Sequence, residues 1–328
     1  MWLVTQGWEK LLNYPQVWKA DWVALSPLNR YLPGLVVFAY WGTYGGLGRL
    51  GSDVLTLGGA ILLLSYLGPF FRTIRGFILP LLLTGMVYNS QHLFVNELRG
   101  EIHVAEPYYF DQRFFGVQTD SGVLTPNEYW QDRTHPLIDV FTGFAYLTYV
   151  AGFLLMAGII HFWVGPRGAR GWSPQELQRY TPRMMWVFFI VNLMGYATYF
   201  LYPAAPPWYV SEYGLEGPVR LDVPSNPAGA ARVDELLGLN LFHQMYSLSA
   251  NVFGAVPSLH VAYPLLGFYY ATRVGVGMLP ALAFYLLMCF SAVYVNHHYV
   301  LDILVGSLYA LVAAVGMDLI WRVRKHPV

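Results

Sequence analysis

Three ionisable side chains stand out in the apolar C-terminal third of the chain: His260, His298 and Asp302. Ionisable groups at membrane depth are costly in free energy and are therefore functional candidates. His298 and Asp302 are four residues apart, so on a helix they share one face. A carboxylate there can accept from one imidazole nitrogen, fix the tautomer and leave the other nitrogen as a base or nucleophile. We predict that these three residues are catalytic.

His260 is predicted to lie in the first turn of a helix. Pro257 and Ser258 precede it, and both residue types are typical of a helix N-terminus. The free N–H groups and the positive dipole end of such a helix attract anions. The side chains of His260, His298 and Asp302 offer three nitrogen and oxygen ligands that could also hold zinc, so a metal site is an alternative. Because the chain has one cysteine and no H-E-x-x-H pattern, we predict neither metal nor cofactor.

The composition indicates a membrane protein. Of the 328 residues, 56% are hydrophobic and only 12% are charged, whereas a soluble domain has about 25% charged residues. The mean hydropathy is +0.41. A formal net charge of zero provides no field that would recruit nucleic acid, so no nucleic-acid partner is expected.

Several apolar stretches are long enough, at roughly 17–25 residues, to cross the hydrocarbon core. We predict an all-α polytopic membrane bundle, in which residues 1–95 form N-terminal interfacial helices and first spans, and residues 96–328 form the catalytic membrane domain. The tryptophan-rich residues 1–31 are the predicted interfacial part. The predicted spans are 32–48, 53–71, 75–95, 137–164, 184–202, 257–273, 277–295 and 298–321.

The distribution of lysine and arginine predicts the orientation of these spans. The C-terminal segment and the loop from Arg167 to Arg183 are basic. In contrast, the loop 96–136 carries seven acidic residues against three arginines, and the loop 203–256 five against two. Both termini are therefore expected in the cytoplasm, with the two acidic loops and the histidines on the extracytoplasmic side. The loop 203–256 is long enough to suggest a function; a lid over the site and a structural cap both fit.

Two segments resemble motifs of the type 2 phosphatidic acid phosphatase superfamily. Pro257-Ser258-Leu259-His260 resembles its P-S-G-H motif. Ser291, His298 and Asp302 match the spacing of a second motif, which reads S-R, five residues, H, three residues, D. On this resemblance we expect a six-helix phosphatase-type core with extra N-terminal helices.

The chain departs from the superfamily pattern in ways that point to one branch. Leu259 stands where glycine is usual, and Ala292 stands where an arginine normally binds phosphate. The segment 202–209, which contains P-P-W-Y, takes the place of a lysine-rich first motif. Together with P-S-L-H and H-H-Y-x-x-D, it resembles the fungal inositol phosphorylceramide synthase and its bacterial relatives. The resemblance runs from about residue 100 to 310 and includes residues 125–129.

The resemblance implies transfer of a phosphoinositol-type head group from a phospholipid donor to a lipid alcohol acceptor, in a bacterial inner membrane. His298, held by Asp302, would form a phosphohistidine, and His260 would act first as acid and then as base. Because Ala292 offers no guanidinium, other groups are expected to bind the phosphate. These are the N–H groups of the turn at 258–260 and the side chains of Ser258, Asn296, His297 and Tyr209.

Two other functions are compatible with the same residues. A lipid phosphatase acting on phosphatidate or polyprenyl diphosphate would share the intermediate and resolve it with water. A transporter would explain several spans with buried polar residues, but it would usually show internal repeats, and the sequence shows none.

Overall fold

The computed structural model describes residues 14–169, 171–247 and 251–325. The chain forms two compact units, Met1–Asn89 and Ser90–Val328. The interfacial structure predicted for residues 1–13 lies outside the described residues. The functional division predicted between residues 95 and 96 stays a prediction.

The first unit is built from helices. The hydroxyl of Tyr66 joins two of them, because it accepts the N–H of Gly34 at 2.8 Å and donates to the carbonyl oxygen of Arg30 at 2.9 Å. The helices are α1 (Tyr14–Ala24), α2 (Pro27–Gly46), α3 (Ser52–Tyr66) and α4 (Pro69–Leu98), of which α4 continues into the second unit.

After the end of α4, the second unit contains a small subdomain, which we call the outer subdomain after the predicted outer loop 96–136 that forms it. It contains α5 (Ala105–Phe115), an antiparallel hairpin of β1 (Val117–Thr119) and β2 (Gly122–Leu124), and α6 (Pro126–Gln131). Thr125 and Glu128 form a capping box at the start of α6, with Pro126 in its first turn.

The rest of the second unit alternates long apolar helices with short ones. The helices are α7 (Pro136–Leu147), α8 (Tyr149–Gly158) with a π-helical turn (Ile159–Val164), α9 (Pro174–Leu201), α10 (Pro207–Tyr213), a 3₁₀ turn (Ala228–Ala230), α11 (Ala231–Leu237), α12 (Leu241–Ser247), α13 (Leu259–Val274), α14 (Met278–Tyr294) and α15 (Val300–Lys325). The segment predicted as the loop 203–256 thus contains α10, α11 and α12.

Six helices form the core of this unit: α7, α8, α9, α13, α14 and α15. Helix α13 is central and contacts α8, α9, α14 and α15. Its buried residues include Val261, Leu266 and Tyr270, which have no exposed surface. An apolar helix that is buried on several faces belongs in the middle of a bundle. The predicted all-α fold with a six-helix core is confirmed.

The eight predicted spans all coincide with helical segments, but they differ in length and apolar character. Among the described residues, two helices are long and apolar enough to cross a membrane, Pro174–Leu201 and Val300–Trp321. A third span is possible if α7 and α8 are counted together, although they are bent by 57°. The bend falls at Thr148, whose hydroxyl donates to the carbonyl oxygens of Phe144 and Ala145. Eight crossings stay a prediction.

Candidate active site

The structure brings His260, His298 and Asp302 together at one end of the core helices. His260 lies in the first turn of α13, His298 in the connection between α14 and α15, and Asp302 in the first turn of α15. Nδ1 of His260 lies 3.1 Å from Nε2 of His298, and the ring centroids are 5.3 Å apart. The two imidazoles therefore come from different helices and face each other.

Asp302 holds the ring of His298 in one orientation. Its Oδ2 lies 3.2 Å from Nδ1 of His298 and accepts the N–H of Tyr299 at 3.0 Å. The carbonyl oxygen of Ala255 lies 3.1 Å from the same Nδ1. Because Nδ1 faces two acceptors, we assign the proton to it, which leaves the lone pair of Nε2 directed at His260. Both residues are buried, so water does not compete for these bonds.

Helices α13 and α15 approach each other closely beside this pair. The N–H of Ser258 donates to the carbonyl oxygen of Asp302 at 2.9 Å. A Cβ added to Gly306 would lie 2.2 Å from the carbonyl oxygen of Ser258, so glycine is required for this approach. The contact places His260 next to His298. It also occupies the N–H of Ser258, one of the groups predicted to bind phosphate.

The outer subdomain holds the connection that carries the histidines. Nδ2 of Asn127 donates to the carbonyl oxygens of Val293 and His298, each at 3.0 Å. Gln131 donates to the carbonyl oxygen of Tyr294 at 3.1 Å. The end of α14 and the connection that follows it are therefore tied to α6.

Asp111 of α5 caps α15 from a distant part of the chain. Its Oδ2 accepts the N–H of Val300 at 2.6 Å, and its Oδ1 accepts that of Leu301 at 3.0 Å. These N–H groups have no partner within their own helix. Burial raises the pKa of Asp111 to about 7, although the two hydrogen bonds act in the opposite direction. The anion-binding end of α15 is thus occupied by a carboxylate of the protein itself.

Of the four side chains predicted to bind substrate, that of His297 lines the same cavity as His260 and His298. Its Nε2 donates to the carbonyl oxygen of Pro227 at 2.9 Å. Its ring stacks between those of Tyr146 and Tyr246, at centroid distances of 5.3 and 4.6 Å. His297 is therefore fixed at the wall of the cavity.

The other three predicted side chains are not among those lining that cavity. The hydroxyl of Ser258 is buried without a hydrogen-bond partner. Asn296 has a φ of 60°, a left-handed conformation that asparagine tolerates, and its Nδ2 donates to the hydroxyl of Ser211. The hydroxyl of Tyr209 accepts the N–H of Arg220 at 2.8 Å, beside a separate cavity. Asn296 thus shapes the turn that presents the histidines.

The cavity beside the histidines has a volume of about 110 Å³. Among the described residues, its lining includes no lysine or arginine, and no three His, Cys, Asp or Glu side chains are grouped as metal ligands would be. Arg232 of α11 is engaged elsewhere, because its Nε lies 2.6 Å from the carboxylate of Asp139. The cavity is lined by Tyr146, Pro206, Trp208, Ser225, Asn226, Tyr246, Asn251, Val252, Gly254, Ala255, His260, His297 and His298.

Three residues of this region were not singled out by sequence reasoning: Asp111, Asn127 and Tyr146. Tyr146 of α7 is fully buried, stacks on His260 at a centroid distance of 4.1 Å, and places its hydroxyl 3.1 Å from Nδ1 of that residue. Only Asn127 carries a local signal, because it lies inside the capping box at 125–128. No local pattern marks the other two.

The apolar helical core, with two buried imidazoles and a carboxylate at one end, defines a class: an integral membrane protein with a candidate enzymatic site. The model of the PAP2 superfamily matches residues 128–316, which include all three predicted catalytic residues. No solved structure matches the chain.

The curated proteins that are similar to this chain agree with this family match. The phosphoinositol dihydroceramide synthase of Bacteroides thetaiotaomicron is 34% identical over 271 residues, which cover 80% of this chain and 82% of that protein. The inositol phosphorylceramide synthase catalytic subunits of Saccharomyces cerevisiae and Schizosaccharomyces pombe are 35% and 31% identical. These matches cover 37% and 56% of this chain, but only 30% and 40% of the fungal proteins.

The chain belongs to the PAP2 superfamily. The predicted resemblance is confirmed, and so is the predicted enzyme class: the protein is a membrane phosphotransferase.

Proposed function

We propose that this enzyme transfers a phosphoinositol-type head group from a phospholipid to a lipid hydroxyl and releases diacylglycerol. The observation that carries the proposal is the contact between His260 and His298 at 3.1 Å, with Asp302 behind His298. The substrate class comes from the bacterial relative, which is named as a phosphoinositol dihydroceramide synthase and is matched over most of its length. A ceramide-like alcohol is the acceptor that this name favours.

The first step forms a phosphohistidine. The lone pair on Nε2 of His298 attacks phosphorus and the bond between phosphorus and the glycerol oxygen breaks. That oxygen keeps the bonding electron pair and takes a proton from protonated His260. Diacylglycerol leaves as a neutral alcohol. Asp302 supports the attack because it accepts a hydrogen bond from the Nδ1–H group of His298 and stabilises the positive charge that develops on the ring.

The second step reverses these transfers with a different alcohol. His260, now neutral, takes the proton of the acceptor hydroxyl, whose oxygen forms a bond with phosphorus while the bond to Nε2 of His298 breaks. His297 is retained as a substrate-binding residue because it lines the cavity. We do not propose a substrate-binding role for Ser258, Asn296 or Tyr209, because their side chains are not among those that line the cavity.

Transfer requires that water be excluded from the phosphohistidine. The segment 231–247 can form a cover over the site, because its two helices are joined by hydrogen bonds. Asp234 in the first turn of α11 accepts the N–H groups of Leu241, Phe242 and His243 at the start of α12. Phe242 is buried against the cluster that contains Tyr146. This rigid cover supports transfer over hydrolysis.

The proposal includes an orientation in the bacterial inner membrane. The histidine pair lies at the extracytoplasmic boundary, and both termini lie in the cytoplasm. At the end of α13 and α15 away from the histidines, Arg273 pairs with Asp318 at 3.0 Å. A cation near the last turn of α13 agrees with the rule that cytoplasmic ends are basic.

The test is an assay with purified enzyme, phosphatidylinositol labelled in the head group, and ceramide or dihydroceramide. A new labelled inositol lipid together with diacylglycerol is the expected result. Free inositol phosphate would mean that water and not a lipid hydroxyl resolves the intermediate, and an absence of cleavage would mean that phosphatidylinositol is not the donor.

The variant His298→Ala is expected to lose all turnover while its melting temperature stays close to that of the wild type. The wild type should also yield an acid-labile, base-stable labelled protein after brief incubation with donor alone. Activity that survives in His298→Ala would contradict the mechanism. Activity that is lost with a chelator and restored by zinc would favour the metal alternative.

A further inference from the structure

A phosphoryl group in this cavity needs hydrogen-bond donors, because negative charge develops on its oxygens in the transition state. Residue 292 is alanine, and the described lining of the cavity contains no lysine or arginine. Arg232 is held by Asp139 and by the side chain of Gln131. The donors beside the histidines are therefore neutral.

The hydroxyl of Tyr146 is a neutral donor within hydrogen-bond distance of His260. It lies 3.1 Å from Nδ1 of His260, and the same Nδ1 lies 3.1 Å from Nε2 of His298. Because Nε2 of His298 presents a lone pair, the proton between the two imidazoles belongs to Nδ1 of His260. The phenolic proton of Tyr146 is therefore not required by the histidine pair.

The ring of Tyr146 is held in place by stacking. It lies nearly parallel to His260, at 15°, and to His297, at 14°, and it has no exposed surface. A phosphoryl group that binds to Nε2 of His298 must displace the contact between the two histidines. Its oxygens then enter the space beside Nδ1 of His260, where the Tyr146 hydroxyl already stands.

We propose that Tyr146 is a catalytic residue that donates a hydrogen bond to a non-bridging oxygen of the transferred phosphoryl group, in the place of the absent arginine. This inference rests on the proposed function. No bond of Tyr146 forms or breaks, and its proton stays on the phenol. A preorganised donor in a site without water stabilises developing charge more than it would in solution.

The decisive variant is Tyr146→Phe, which keeps the stacked ring and removes only the hydroxyl. The matched control is Tyr149→Phe, because Tyr149 also packs on His260, at a centroid distance of 4.2 Å. Removal of one oxyanion donor lowers kcat by about 10²–10³-fold, and we expect this loss for Tyr146→Phe with KM little changed. Tyr149→Phe should stay within about threefold of the wild type.

The response to phosphorothioate donors distinguishes a hydrogen bond to the phosphoryl group from a purely structural role of Tyr146, because a structural role would leave that response unchanged. In these, sulfur, a poor hydrogen-bond acceptor, replaces one non-bridging oxygen of the donor phosphodiester. The wild type and Tyr149→Phe should prefer one diastereomer, and Tyr146→Phe should lose that preference. The proposal is overturned if Tyr146→Phe keeps the wild-type preference or the wild-type kcat.

A binding measurement separates this inference from the proposed function. Orthovanadate adopts the five-coordinate geometry of a phosphoryl transition state, so it should bind to His298 and raise the melting temperature of the wild type. We expect a clearly smaller shift for Tyr146→Phe and none for His298→Ala. Equal shifts in the wild type and Tyr146→Phe would overturn the role of Tyr146, even if phosphatidylinositol proved not to be the donor.

Discussion

At the scale of single residues, the site pairs each imidazole with a different partner. His298 faces the carboxylate of Asp302, whereas His260 faces the hydroxyl of Tyr146. A carboxylate suits a nucleophile, because it stabilises the cation that forms when the ring is phosphorylated. A neutral partner suits an acid, because it does not bind the proton that must be released. The two roles proposed for the histidines follow from this difference.

Asp302→Asn tests the role of the carboxylate. The amide has the same size, but its NH₂ group faces the protonated Nδ1 of His298 and favours the wrong tautomer. We expect kcat to fall by about 10²–10⁴-fold with KM little changed, by analogy with the known effect of such a change in a catalytic triad. Steady-state kinetics check this, with the exposed Asp120→Asn as the control variant.

The melting temperature distinguishes a chemical effect of Asp302→Asn from unfolding. Asp302 is completely buried, and its Oδ1 has no hydrogen-bond partner. A neutral amide is easier to bury than a charge, so the variant should melt at the same temperature as the wild type or higher. An active variant, or one that is inactive only because it has unfolded, would count against the assigned role.

At the scale of elements, the helices outside the bundle fix the geometry of the site. Asp111 of α5 caps α15, and Asn127 of α6 holds the turn that carries His298. Gly306 lets α15 approach the start of α13. The outer subdomain is therefore part of the architecture of the candidate site, although none of its described residues lines the histidine cavity.

The capping role of Asp111 predicts a pH dependence of stability. Burial raises its pKa from the ordinary 3.8 to about 7 in the folded protein. Between these values the folded state keeps a proton that the unfolded chain has lost, so this contribution is fully present at low pH and is lost as the pH rises through about 7. Asp111→Asn has no such proton. The melting temperature of the wild type relative to this variant should therefore fall between about pH 4 and about pH 7 and level off above that range.

Thermal unfolding of both proteins in detergent at several pH values checks this prediction. If the wild type instead gained stability relative to Asp111→Asn as the pH rose, the helix N-terminus would outweigh burial, and the carboxylate would be ionised in its cap.

At the scale of the whole molecule, the proposed orientation places the site and the basic end of the second unit on opposite sides of the membrane. Cys289 is the single cysteine, so Cys289→Ala gives a background without thiols. In that background, Glu216→Cys in the segment 203–256 and Arg167→Cys in the basic loop are both exposed positions.

A membrane-impermeant maleimide should label Glu216→Cys in intact cells and Arg167→Cys only after permeabilisation. The reverse pattern would invert the orientation and put the histidine pair on the cytoplasmic side. Labelling of both in intact cells would mean that both positions lie on the outer side of the membrane, so that an even number of crossings separates them.

The sequence alone determined the features that are local in the chain. Apolar composition and stretch length predicted an all-α membrane protein, since a backbone in lipid must satisfy its own hydrogen bonds. The four-residue spacing of His298 and Asp302 predicted their contact, because a helix or tight turn brings such residues together. Pro257 and Ser258 marked the start of the helix that bears His260.

Only the tertiary structure decided which groups surround the histidines. The contacts of Asp111 with Val300, of Asn127 with His298 and of Tyr146 with His260 join residues 189, 171 and 114 positions apart, and no local pattern encodes such pairings. The availability of a donor is likewise non-local: the N–H of Ser258 is occupied because Gly306 admits Asp302 beside it. A polar group binds a ligand only if the fold leaves it without another partner, and that depends on how the whole chain packs.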